Sequence, residues 1–548
     1  MAAVAHLEVL HPSALTRPAF TPAETLPAPS APDQINPWLI AATVMLATFM
    51  EVLDTSVANV ALPHIAGSVG ASNDESTWVL TAYLVANAIV LPMSGWFSSL
   101  FGRKRYYLTC VVLFTVSSAL CGLAPSLEAL VFFRILQGLG GGALQPISQA
   151  ILRETFPREK QGMAMAFFGI GVVFAPVIGP TLGGWITDNY TWRWIFLINI
   201  PVGVLSVALS SFLVHDPPYL VRKSLKSGLK IDYFGLGLLA TGLGALEIML
   251  DEGQRKDWFG SSLIVWACII AATALVSVVL WELRQKDPVI ELHLLKDRNF
   301  AISVFSMFAL GFVLYSSTMT LPLFMQTLMG YTATRSGLAL SPGGLAIMAM
   351  MPLVGFLVNR VQPRWLVIVG LVISAFGLFW MARLHLQVDF GLLVEARIAQ
   401  SLGLAFLFVP INAMAFYYVP KPKTGYATGL MNLARNIGGS TGIALVTTLI
   451  ARRQQFHQSV LVTHATPYDH GYRAALDGMT QMFMSRGWSQ ADALQRAHAM
   501  LYGMIQQQSA VLAFMDSFWL LALIFLGLIP FMFLMRPTKP HKGEIHTE

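Results

Sequence analysis

The chain has 548 residues, of which 55% are hydrophobic and only 12% are charged, with a net charge of +6. Soluble proteins carry about 25% charged residues, so this composition excludes a water-soluble protein and predicts an all-α protein in a lipid bilayer. Nucleic-acid binding is not expected, because no basic stripe alternates with aromatic residues.

The N-terminal segment is polar and rich in proline. It lacks the basic stretch, short apolar run and cleavage site of a signal peptide. We expect residues 1–36 to form a disordered cytoplasmic tail, and the first membrane helix to act as the insertion signal.

A span needs about 20 mostly apolar residues, and about fourteen segments satisfy this condition. They are 37–62, 78–100, 106–124, 127–150, 162–187, 194–214, 232–250, 262–282, 299–325, 336–358, 364–384, 390–416, 425–450 and 511–535. Lys and Arg are concentrated in the loops on the side of the N-terminus. The positive-inside rule therefore predicts that both termini are cytoplasmic.

One module occurs twice, which predicts two bundles of six helices. The segments 95–105 and 134–140 recur about 260 residues later, at 355–360 and 397–403. Parallel repeats of this kind are typical of two-halved membrane transporters. The predicted domains are a first bundle (37–215), linkers with an inserted two-helix hairpin (216–298), a second bundle (299–535) and a cytoplasmic tail (536–548).

A long loop over about 451–510 is expected on the outer side. Ser489 can cap a helix that begins at Gln490. Contact with another protein and a solvated outer cap are both compatible with this loop.

The first helix carries two carboxylates, Glu51 and Asp54, which share one helix face because they are three residues apart. A charge at the bilayer centre costs about 2.5–3.5 kcal/mol on insertion scales. Arg134 lies at a similar depth, and Gln137 lies one turn further along. Burial disfavours a charged carboxylate whereas a nearby guanidinium favours it, so this cluster predicts proton exchange. The alternatives are a static ion pair and, for Glu51, a substrate contact.

The second half has deep cations at Arg397 and Arg435. Arg397 is the repeat counterpart of Arg134, but the matching part of helix 299–325 has no carboxylate. Proton coupling is therefore expected in the first half. Asp516 and Glu247 are interpreted as structural or interfacial residues.

Helix 162–187 is rich in glycine and proline, which neighbouring helices tolerate in a bilayer. Its motif residues are Gly171, Pro176, Gly179, Pro180, Gly183 and Gly184. This composition favours a closely packed interface that bends as the two halves alternate, with static packing as the alternative. The three cysteines lie in apolar segments and are interpreted as packed side chains. No catalytic residues, metal site or nucleotide-binding loop is expected, so the chain is not interpreted as an enzyme.

These motifs together resemble the major facilitator superfamily, specifically its fourteen-span drug/proton antiporters of the EmrB/QacA type. The resemblance covers about residues 37–535, and six segments carry it. They are the first-helix segment 53–63, the basic turn 95–105 (Gly95, Gly102, Arg103 and Arg105), the residues Arg134, Gln137, Gly138 and Gly140, and the segments 192–201 and 232–235 together with the motif of helix 162–187.

The resemblance implies proton-driven export of amphipathic compounds by alternating access across the bacterial inner membrane, and thereby drug resistance. It implies no cofactor beyond the proton motive force. It also implies a periplasmic adaptor protein and an outer-membrane channel as partners. A dedicated metabolite or siderophore exporter or symporter of the same superfamily remains an alternative, and so does a channel.

The sequence departs from the family at one position of the basic turn. Ser99 stands where the family usually has an acidic residue, and Asn359 stands there in the second copy. Arg103 and Arg105 are therefore interpreted as charges that set topology and helix ends, rather than as parts of a charge-relay gate. Candidate cavity residues are Tyr83, Asn87, Tyr315, Asn412, Asn432 and Asn436.

Overall fold

The computed structural model describes residues 36–217, 232–285 and 287–537. The predicted tail 1–36 lies almost wholly outside this part of the chain, as do residues 218–231 of the linker and most of the tail 536–548. None of the described residues is in a β-strand. The prediction of an all-α protein is therefore confirmed.

The helices of the first half follow one another with short connections. They are α1 (Pro37–Val69), α2 (Asn73–Ser76), α3 (Trp78–Phe101), α4 (Arg103–Gly122), α5 (Leu127–Gly141), α6 (Leu144–Thr155), α7 (Gln161–Asn189), α8 (Trp194–Leu197) and α9 (Asn199–Leu213). Two predicted spans contain a break: α5 and α6 share one span, and α8 and α9 share another.

The rest of the chain continues in the same way. Its helices are α10 (Tyr233–Glu252), α11 (Ser262–Glu282), α12 (Arg298–Leu328), α13 (Ala333–Leu357), α14 (Pro363–Met381), α15 (Phe390–Ala415), α16 (Thr424–Val462), α17 (His470–Ser485) and α18 (Gln490–Phe533). Each of the fourteen predicted spans lies on helix.

Twelve spans within the described residues are long and apolar enough to cross a membrane, and α7 adds a thirteenth if its bent halves are counted together. α7 bends by 41° between Gln161–Pro176 and Ile178–Asn189. The remaining predicted span lies on α16, which packs against α3, α12 and α18. Because these neighbours cover much of its surface, α16 exposes less of itself to lipid and tolerates a more polar composition.

The predicted loop 451–510 is helical over most of its length. α16 continues to Val462 and α18 begins at Gln490, so only short turns flank α17. The Ser489 hydroxyl accepts a hydrogen bond from the Asp492 amide at 3.3 Å, as expected for a helix cap. Two membrane helices therefore extend beyond the bilayer.

The most extensive contacts between the two repeat halves form two seams, α7 against α13 and α3 against α16, and α6 also packs against α16. α10 and α11 pack together as the predicted hairpin, and α10 also contacts α3 and α16. The described residues from Pro37 onwards group into one compact unit, so the division into two separate bundles stays a prediction.

Candidate functional site

The structure brings Asp54 of α1 into contact with Arg134 of α5. Arg134 Nη1 lies 2.5 Å from Asp54 Oδ2, and both side chains are almost completely buried. Arg134 also donates to the Val79 carbonyl at 3.0 Å, and its guanidinium lies over the Tyr83 ring, 4.3 Å from the centroid. The ion pair is thus held by contacts from α3 as well as from α1 and α5.

Two amide side chains complete the surroundings of the Asp54 carboxylate. Gln137 Nε2 donates to Oδ1 at 3.0 Å, and Asn199 Nδ2 donates to the same oxygen at 2.7 Å. Asn199 also bonds the Ser118 hydroxyl at 2.9 Å. Sequence reasoning did not assign Asn199 to the site. Its signal was an amide side chain inside an apolar segment, within the family-like motif 192–201.

Glu51 lies one turn before Asp54 on α1 and belongs to a different network. Its carboxylate accepts hydrogen bonds from Tyr83 at 3.2 Å, from Asn87 at 3.2 Å and from Gln145 at 2.7 Å. The side-chain oxygen of Gln145, Oε1, in turn accepts a hydrogen bond from the Arg435 guanidinium of α16. Glu51 is therefore linked through one amide to a buried cation of the second half.

The predicted cavity residues lie along the interface between the halves. Gln149 of α6 donates to Asn412 Oδ1 at 2.9 Å and accepts from Asn432 at 3.0 Å. Asn436 donates to Asn87 Oδ1 at 3.5 Å. Tyr315 packs its ring against Gly439 of α16 instead of bonding across the interface. Four of the six predicted residues thus belong to a polar seam between the halves, whereas Tyr83 bonds Glu51 and Asn87 within the first half. Whether the six contact substrate stays a prediction.

The interpretation of Arg103 as a charge that only sets topology and a helix end is wrong. Its side chain is 2% exposed and forms a salt bridge with Glu154 of α6, with Nη2 and Oε1 2.7 Å apart. Nε donates to both Glu154 oxygens at 3.0 Å, and Nη1 donates to the Ser98 hydroxyl at 2.7 Å. α6 thus supplies the acid that the basic turn lacks at Ser99. Arg105 is exposed, and Gly102 has a φ of +89°, which favours glycine.

We expect Glu154→Gln to lower the melting temperature of the purified protein. Removing one partner of a buried ion pair costs about 3–5 kcal/mol because the remaining charge stays buried. The exchange of both charges, Arg103→Glu with Glu154→Arg, should recover part of the loss. Arg105→Gln is the matched control, since that side chain is exposed. A melting temperature of Glu154→Gln equal to that of the unaltered protein would contradict this prediction.

The glycine and proline motif of α7 packs against α1 and α13. Gly171 faces Met45, Gly179 faces Ser56 and Gly183 faces Val57, all on α1. The Pro176 carbonyl accepts from the Ser56 hydroxyl at 3.2 Å. On the other side, Pro180 lies near Gly337 and Gly184 lies near Thr334 of the second half. The motif therefore lies where a change in the angle between the halves must be absorbed, although its role in that change stays a prediction.

Other polar groups are held within the helical packing. Asp516 pairs with Arg453 at 2.5 Å and His457 at 2.7 Å between α16 and α18, and Glu247 of α10 accepts from Ser440 at 2.5 Å. The cysteines carry free thiols; Cys110 and Cys121 are buried, and Cys268 is partly so. Within the part of the chain that the structure describes, no three His, Cys, Asp or Glu side chains are grouped as metal ligands.

Comparisons with known proteins place this arrangement in a family. Residues 44–443 match the model of the Major Facilitator Superfamily. The chain is 37% identical over 509 residues to the multidrug export protein EmrB of Haemophilus influenzae, covering 91% of this chain and 96% of that protein. It is also 37% identical over 503 residues to the fatty acid resistance protein FarB of Neisseria gonorrhoeae, with 91% and 96% covered.

The fold is similar to that of the proton:xylose symporter XylE bound to 6-bromo-6-deoxy-D-glucose. The TM-score is 0.59 at 16% sequence identity, and the match covers 92% of this chain and 97% of that chain. At this identity the likeness concerns the fold alone.

Proposed function

Because the chain belongs to the major facilitator superfamily, we propose that it is a proton-coupled antiporter. It exports amphipathic drugs or toxic compounds across the bacterial cytoplasmic membrane by alternating access. The relatives named for multidrug export and fatty acid resistance support amphipathic substrates.

The buried Asp54–Arg134 pair is the observation that carries this proposal. A carboxylate in an apolar interior is stable as an anion only while a cation and hydrogen-bond donors surround it. Arg134, Gln137 and Asn199 supply both. A conformational change that separates α1 from α5 or α9 removes this support and favours protonation, and the reverse change releases the proton. Proton exchange is thereby tied to the relative positions of the helices.

The seams between the halves support alternating access. On the side of the membrane that holds residues 95–105, here called the basic-turn side, α3 packs closely on α16 and α7 on α13. Asn359 also donates to the Glu159 carbonyl there at 2.7 Å. The structure is thus closed on the basic-turn side. The distribution of Lys and Arg supports assigning this side, with both termini, to the cytoplasm.

The helices that extend beyond the bilayer support a role in a tripartite efflux system. α17 contains no buried residue, and the first turns of α18 are largely exposed. A periplasmic adaptor that leads to an outer-membrane channel is the partner we propose for this surface. The second candidate function is a dedicated metabolite or siderophore exporter or symporter, which the same fold and the same ion pair would serve.

Reconstituted transport with an imposed pH gradient tests the proposal. Proteoliposomes are loaded with a fluorescent amphipathic cation, and its flux is followed with the gradient in either direction or collapsed by an ionophore. Antiport predicts that substrate moves against the proton flux and that the flux falls to background without a gradient. Movement of substrate in the same direction as the protons indicates a symporter. A substrate flux that does not depend on the pH gradient contradicts proton coupling.

A further inference from the structure

Arg397 of α15 is a buried cation in the second half with neutral neighbours. Its side chain is 2% exposed. Nη1 donates to Gln400 Oε1 at 2.8 Å and to the Ser317 hydroxyl at 3.2 Å, and Nη2 donates to Thr318 Oγ1 at 2.9 Å. Nε has no hydrogen-bond partner. Among the described residues, no carboxylate forms a salt bridge with Arg397, although Arg134 has one.

The two buried arginines occupy equivalent places in the repeat. One spacing of 263 residues relates three pairs of positions: Arg134 to Arg397, Gln137 to Gln400, and Asp54 to Ser317. The contacts repeat as well, because Gln400 Nε2 donates to Ser317 Oγ at 2.8 Å as Gln137 Nε2 donates to Asp54 Oδ1. The second copy therefore keeps the arginine and the amide, and has a neutral hydroxyl in place of the carboxylate.

A buried guanidinium without a counter-charge is costly, because hydroxyl and amide dipoles replace only part of its hydration. The remaining donors at this place are Arg397 Nε–H and the buried hydroxyl of Ser401, one turn further along α15, which also has no hydrogen-bond partner. A guanidinium with adjacent hydroxyl donors is suited to a chloride ion or a carboxylate group.

We propose that Arg397 and Ser401, whose Nε–H and hydroxyl have no hydrogen-bond partner, form an anion-binding site beside Ser317 that takes a halide or a carboxylate. The bound anion supplies the negative charge that Asp54 supplies in the first half. This site stands independently of the direction and coupling of transport, because it is inferred from the contacts of Arg397 alone.

Thermal unfolding of the purified full chain in different sodium salts tests the site. Chloride or acetate is titrated against methanesulfonate at constant ionic strength, so that general salt effects cancel. The melting temperature should rise saturably with the small anion, since a ligand that binds only the folded state stabilises it. Ser317→Asp carries its own carboxylate and should lose this response, whereas the uncharged Ser317→Asn, of the same size, should keep it.

The salts also separate the two sources of the anion. A response to chloride and acetate identifies a free small anion as the ligand. A response to decanoate that is absent with decylammonium, chloride and acetate identifies the carboxylate of an amphipathic molecule. No response to any anion, or equal responses in Ser317→Asp and Ser317→Asn, overturns the proposal. Should Ser317→Asp not fold, bromide soaked into crystals of the unaltered protein replaces that variant. An anomalous peak beside Arg397 supports the site, and the absence of a peak together with no thermal response of the unaltered protein to acetate or decanoate overturns it.

Discussion

Asp54→Asn is expected to give a folded protein whose transport no longer responds to a pH gradient. The asparagine has the size of the aspartate and still offers one oxygen to Arg134, Gln137 or Asn199. It cannot bind or release a proton between the two conformations. Gradient-driven efflux should therefore fall to background, whereas exchange of substrate for substrate, which needs no net proton movement, should persist.

The measurement is efflux from vesicles with an imposed gradient, normalised to the amount of protein in the membrane. Normalisation is needed because Arg134 loses its counter-charge, at a cost of about 3–5 kcal/mol. Glu51→Gln is the comparison that assigns the coupling to one of the two carboxylates: it removes the other carboxylate of α1, which bonds Tyr83, Asn87 and Gln145 rather than Arg134. Unchanged proton-driven efflux in Asp54→Asn would end the idea that this carboxylate carries the coupling.

The contact between Asp54 and Arg134 could be expected from the sequence, because both residues lie at a similar depth in the membrane. Charges inside a bilayer are rare, so two opposite charges at similar depth on helices of one bundle are expected to form an ion pair. Glu154 could not be recognised in the same way, since it lies near the end of α6, where charged residues are ordinary. Its contact with Arg103 depends on how α4 and α6 are rotated.

The sequence does not indicate how each helix is rotated about its own axis, and therefore which of its faces contacts a neighbouring helix. Most of the spanning helices are apolar on every side, so no amphipathic stripe indicates which face meets which neighbour. Gln145 is an example: an amide on α6 connects Glu51 with Arg435 of α16. Hydropathy also cannot show where α16 and α18 end, because both helices continue after their surroundings change from lipid to water.

The inserted hairpin was assigned to neither half, and the structure shows contacts with both. Glu247 of α10 accepts from Ser440 of α16, and Asp251 of α10 accepts from Thr81 of α3. Trp258, just after α10, donates to Thr448 of α16 at 2.9 Å. Any movement that separates α3 from α16 near these contacts must break the bonds on one side of α10. The hairpin is therefore a structural element of the seam and more than a connection.

Gly95→Ala is expected to prevent the two halves from closing on the basic-turn side. A β-carbon at Gly95 of α3 would lie 2.6 Å from the Tyr426 nitrogen and 2.7 Å from the Gly425 carbonyl carbon, both on α16. These are backbone atoms, so no side chain can turn away to make room. The clash exists only while the halves are closed, so the conformation that is open on this side should be favoured. Each 1.4 kcal/mol added to the free energy of the closed conformation lowers its population relative to the open one by about tenfold, and transport should fall with it.

Labelling of a buried cysteine measures this shift directly. Thr428→Cys, placed on α16 at a position that is fully buried in the closed structure, is introduced after replacing Cys110, Cys121 and Cys268. A membrane-impermeant maleimide applied from the basic-turn side should react faster when Gly95→Ala is also present. Gly527→Ala on α18 is the control, since a β-carbon there meets nothing within 4 Å. Normal transport together with unchanged labelling would show that the α3–α16 contact does not govern closure.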